Sequence, residues 1–158
     1  MRKALGILGF VAACELAGII GSVFTTPSIP GWYAGLAKPV FNPPNAVFAP
    51  VWTALYALMG LAAFLVFVKG LEKKDVRTAL SFFAAQLLLN VLWSVVFFGA
   101  HAILGGAVVI VLLWAMILAS IRLFFKISRT AACLLIPYVL WVSFATVLNI
   151  SLYVLNRG

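Results

Sequence analysis

Three stretches of this sequence place aromatic rings and carboxamides at helical spacing inside runs of apolar residues. Gln86, Asn90, Trp93 and Phe97 are 4, 3 and 4 residues apart and so share one face of a helix. Trp141, Ala145, Asn149 and Tyr153 follow one another at intervals of 4, and Trp52, Tyr56 and Gly60 do the same. In a bilayer each amide must find a partner or line a cavity. Recognition is the chemistry these stripes support: aromatic faces stack on a planar apolar molecule, and a few amides orient it. The same residue types also form interfacial belts and join helices to one another. Aligned stripes on three helices exceed what a belt requires and favour a pocket.

Other chemistries find less material. No nucleophile–base pair, metal-binding cluster or phosphate loop is present in the sequence, which argues against hydrolysis, group transfer and a resident metal. Glu15 lies midway through the first apolar run, where an acid is expensive, and is open to two readings. It is either a neutralised packing group or a proton carrier of the kind used in small multidrug exporters. His101, at a turn, could ligate a haem iron, although a turn histidine near headgroups is usually only solvated. Cys14 and Cys133 sit in separate apolar runs and read as small packing residues.

The elements that must position these residues are transmembrane helices. The 158-residue chain is 66% hydrophobic and 9% charged, against the ~45–50% apolar content of soluble domains. Five spans can be drawn, at about 4–26, 44–68, 79–99, 102–125 and 130–154, giving one all-α bundle over residues 1–158. The first run resembles a signal peptide, but it is too long for one and is read as a retained helix. Links two (69–78), three (near Gly99–Gly106) and four (Lys126–Thr130) are shorter than link one (27–43), and the two short turns make spans three, four and five antiparallel neighbours.

Charge sets the expected sidedness. Of the 11 Lys and Arg residues, nine (Arg2, Lys3, Lys69, Lys73, Lys74, Arg77, Arg122, Lys126 and Arg129) fall on the side of the N-terminus and links two and four. Only Lys38 and Arg157 fall on the other. This asymmetry places the N-terminus and links two and four in the cytoplasm, and link one outside. The net charge of +8 is thereby explained by topology and does not point to nucleic acid. Small residues at intervals of four, Ala13, Ala17 and Gly21 and then Ala115 and Ala119, form seams that could join helices within a chain or between chains.

Six of the seven prolines (27, 30, 39, 43, 44 and 50) fall between Pro27 and Gly60, and are expected to hold that backbone out of regular helix. Pro137 is expected to kink span five near Trp141. The stretch WYAGLAKPVFNPPNAVFAPVWTALYALMG, followed by AAQLLLNVLWSVVFFG and LLIPYVLWVSFATVLN, resembles the translocator protein family, also called tryptophan-rich sensory proteins. The resemblance covers all five spans. It implies a five-helix membrane bundle with a pocket lidded by loop one, and a homodimer surrounded by lipid.

Members of that family bind porphyrins such as protoporphyrin IX, and the resemblance implies a tetrapyrrole ligand here, with no obligatory cofactor. The positions matching the family pocket are Trp32, Tyr33, Pro39, Pro43 and Pro44 in the loop and Trp52 and Tyr56 in span two. Gln86, Asn90 and Trp93 in span three and Trp141, Ala145 and Asn149 in span five match as well. Some relatives are proposed to degrade porphyrin with light, in which case Trp52 and Trp141 would take part. Many relatives carry proline shortly after the span-three tryptophan; Ser94 and Val95 stand here instead, which predicts a straighter helix. Val147, Tyr153 and Arg157 match the cholesterol pattern only formally. The family and the charge asymmetry together imply the plasma membrane of a prokaryote.

Overall fold

The computed structural model describes residues 2–157, and every regular element among them is helical. α1 (Arg2–Ser28) runs into a π-helical segment, Ile29–Tyr33. α2 (Asn45–Phe67) and α3 (Lys74–Ser94) follow, the latter ending in a second π segment, Val95–Gly99. α4 (Ile103–Ile127), α5 (Arg129–Leu134) and α6 (Ile136–Leu155) complete the chain. These elements make five stretches long and apolar enough to cross a membrane: Lys3–Tyr33, Asn45–Phe67, Lys74–Gly99, Ile103–Ile127 and Arg129–Leu155.

Packing arranges the helices in a closed ring. α1 lies against α2 and α3; α4 lies against α3 and α6, as the short connections require; and α2 closes on α5. The contact of α1 with α2 is backbone-close, since a Cβ at Gly60 would meet the Val11 backbone at 2.5 Å. Only glycine allows that approach. The α1 seam is consumed within the chain: Ala17 and Gly21 are buried, with Gly21 against Ser94 of α3, while Ala13 stays exposed. The larger core centres on Met59, Ala63, Ile117, Phe124, Tyr138 and Val142. A smaller one gathers Tyr33, Phe97, Phe98, Leu148 and Leu152 beneath loop one.

Three expectations about backbone need correction. The first helix does not stop at residue 26, because Pro27 lies inside α1 and Pro30 inside the π segment. Proline removes a helical donor, and a π turn re-registers the bonds around it: the Ala34 amide donates to the Ile29 carbonyl, five residues back. Pro50 likewise sits within α2, where the carbonyl it leaves free belongs to exposed Ala46 in the first turn. The non-helical part of loop one is therefore confined to 36–44, and only Pro39, Pro43 and Pro44 shape it.

Helix three is also not straightened by the lack of proline after Trp93. The π turn at Val95–Gly99 lets consecutive rings, Phe97 and Phe98, both point inward, and both are buried. Span five divides at Leu135 into α5 and α6, with Pro137 in the first turn of α6, where its missing donor costs nothing.

Candidate functional site

α1 and α2 touch at Val11 and Gly60 and enclose a cavity further toward loop one. Its volume is about 340 Å³, at the low end of the ~300–1,000 Å³ usual for small-molecule sites. Eight of the 13 positions matched to the family pocket meet on its wall: Tyr33, Trp52, Tyr56, Asn90, Trp93, Trp141, Ala145 and Asn149. Exposed Ile19, Ser22 and Thr26 on α1, and Asn45, Ala49 and Thr53 on α2, also line it, so the cavity opens between these two helices.

The rings on the wall fall into three groups. Trp52 stacks on Tyr56 at 5.6 Å, and Trp93 on Phe97 at 5.3 Å with planes 14° apart. Trp141 meets Phe48 edge-on at 6.0 Å. From the wall a buried polar chain runs into the core. The Tyr56 hydroxyl donates to Asn90 Oδ1, Asn90 Nδ2 donates to the Tyr138 hydroxyl at 3.0 Å, and that hydroxyl donates to Gln86 Oε1 at 2.8 Å. Trp93 Nε1 donates to Asn149 Oδ1 at 3.0 Å, and Asn149 Nδ2 to the Ile103 carbonyl at 3.1 Å. The two amides thus hold helices and rings in place. Among the described residues that line the cavity, the one with a buried side-chain polar atom lacking a protein partner is Trp141, at Nε1. Gln86 Nε2 is also unpartnered, but Gln86 lies behind the wall and not on it.

The remaining candidates are placed elsewhere. Trp32 stacks on His101 at 4.5 Å and packs edge-on to Phe97, outside the cavity. His101 is exposed with φ 54°, on the loop-one end of the bundle. Pro39, Pro43 and Pro44 shape loop one without reaching the cavity wall. That loop is fastened at two points. Tyr33 donates to Asn42 Oδ1 at 2.7 Å, and Asn156, just past α6, brackets Ala37 with two bonds of 2.9 Å. Lys38 lies over the Tyr33 ring at 4.9 Å.

Glu15 lines the cavity, together with a face of α1 that the aromatic stripes did not reveal. The signal for it was legible: Glu15, Gly18, Ser22, Thr25, Ile29 and Tyr33 recur at intervals of 3 and 4. Asn156 gave no such signal, because a single asparagine at a helix end has no period. Among the described residues, no group of three or more His, Cys, Asp or Glu could hold a metal ion.

The fold defines an integral membrane protein with five helices long and apolar enough to span, and with an aromatic-lined cavity between them. A sequence model of the TspO/MBR family matches residues 10–155. The chain is 42% identical over 155 residues to the tryptophan-rich protein TspO of Chlorobaculum tepidum, covering 98% of each. It is 39% identical to protein CrtK of Rhodobacter capsulatus, over 94% of this chain and 91% of that one. With the human translocator protein it shares 37% identity, over 96% of this chain and 90% of the relative. The chain belongs to the TspO/MBR family.

Proposed function

We propose that this protein is a membrane receptor or carrier that binds a planar, largely apolar tetrapyrrole, such as protoporphyrin IX, in the cavity beneath loop one. The names of its relatives, translocator and tryptophan-rich sensory protein, fit a role in transport or sensing. One observation carries the reading: Trp52, Tyr56, Trp93 and Trp141 line a single cavity, and the indole N–H of Trp141 is buried without a protein partner. Stacking supplies the attraction and the indole donor the orientation. A complete macrocycle exceeds the closed part of this cavity, so it enters edge-first and extends through the opening between α1 and α2. In this reading the protein is a homodimer in the plasma membrane of a prokaryote, with links two and four cytoplasmic.

Titration of the detergent-purified protein with protoporphyrin IX tests it. Tryptophan fluorescence should quench saturably, and Trp52→Phe or Trp141→Phe should weaken the binding. Unchanged titrations in both variants would sink the pocket. The two indoles facing one cavity also favour a second reading, light-dependent degradation of the bound ring. Loss of the porphyrin absorption band under illumination, dependent on Trp52 or Trp141, supports it, and a band that persists with ligand bound counts against it. Glu15 on the wall favours a third, proton-coupled export: Glu15→Gln should then abolish proton-driven uptake into vesicles, and undiminished transport removes the idea.

A further inference from the structure

The end of the bundle opposite loop one carries a second cavity of about 340 Å³, lined by Lys69, Lys73, Lys74 and Lys126 with Asp75. Two of these lysines are explained by helix dipoles. Lys126 is in the last turn of α4, and Lys69 lies just past the end of α2, where a cation is favoured. The other two are not. Lys73 is the N-cap of α3 and Lys74 its first residue, where the same dipole disfavours a cation, and no side chain caps that helix. Gly70, at φ 105°, turns the link so that Lys69 and Lys73 face one concavity. Asp75 is the one acid on the cleft, and among the described residues no ion pair joins it to a lysine.

A general excess of positive charge on this side accounts for how many lysines there are, not for their convergence. Four exposed lysines and a single acid line the hollow, an excess of positive charge that an anion seated there would offset. The surroundings say which kind. Exposed Phe67, Val68 and Leu71 flank Lys69, and exposed Phe125 precedes Lys126, so the cleft borders apolar surface of the sort that acyl chains cover. We propose that this cleft seats the phosphate of an anionic phospholipid, with its acyl chains lying along Phe67, Val68 and Phe125. Basic hollows between transmembrane helices at the membrane boundary are suited to such headgroups.

Native mass spectrometry of the full chain, released from detergent holding equal amounts of phosphatidylglycerol and phosphatidylcholine, tests the site. The anionic lipid should be retained preferentially, and the preference should fall about fivefold per lysine removed in Lys73→Gln and Lys126→Gln. The paired Lys→Arg changes should keep it, and Lys38→Gln in loop one should leave it unaltered. A preserved protoporphyrin titration shows that each variant is folded. Three results would overturn the proposal: equal retention of the two lipids, an unchanged preference in the double Gln variant, or displacement of the lipid by millimolar inorganic phosphate, which would make the ligand a soluble anion.

Discussion

Trp141 lines the cavity, and its indole N–H is buried with no protein partner. A hydrogen bond from it to a ligand acceptor is worth about 0.5–1.5 kcal/mol net, so Trp141→Phe, which keeps the ring face and removes the donor, should weaken protoporphyrin IX about threefold to tenfold. A titration that shows no change would assign the orphan donor no part in binding. Asn149 has the opposite character, since its carboxamide is spent on Trp93 and on the Ile103 carbonyl. Asn149→Ala should therefore act first on stability, by about 0.6 kcal/mol per bond lost, the average for such intramembrane bonds, and by at most about 1.7 kcal/mol for each. A lower thermal midpoint in detergent checks this; an intact midpoint with lost binding would make Asn149 a ligand contact after all. At this scale the sequence showed which residues share a face. Periodicity sets direction along one helix, whereas the partner of Asn90 or Trp141 depends on how other helices turn toward it.

Loop one behaves as an element because its ends are fixed. Asn156 holds Ala37 through both ends of its carboxamide, the oxygen accepting from the Ala37 N–H and the nitrogen donating to the Ala37 carbonyl, and Tyr33 holds Asn42. Asn156→Ala removes both bonds to Ala37 and should speed deuterium uptake across residues 36–44. It should also raise the dissociation rate of protoporphyrin IX several-fold, without altering stacking at the wall. Faster exchange with an unchanged off-rate would mean that ligand leaves by the side opening between α1 and α2 and not past the loop. The helices themselves were plain in the sequence from run length and hydropathy. The loop-one end of the first was not, because proline was read as a breaker at Pro27 and Pro30, while a π turn accommodates it here. The same limit applies at Phe97 and Phe98, whose π turn has no proline to announce it.

For the molecule as a whole, the two cavities lie at opposite ends of the bundle, so sidedness decides what each can meet. Helix order around the ring follows from packing alone, but packing is indifferent to which end faces the cytoplasm. The lysines are not indifferent: nine of the 11 Lys and Arg residues fall on the side of the second cavity. By the positive-inside rule such an excess is expected to hold that side in the cytoplasm during insertion, so the orientation we propose has the aromatic cavity and loop one on the outer face. Single reporter cysteines at two exposed positions test this, in a chain where Cys14 and Cys133 are first changed to serine. Val40, at the tip of loop one, is fully exposed at 106% relative accessibility, and Lys73 stands at the start of α3. In intact cells a membrane-impermeant maleimide should label Val40→Cys at once and Lys73→Cys only after permeabilisation. The reverse pattern would place loop one inside, and a ligand arriving from outside would then meet the lysine cleft before the aromatic wall.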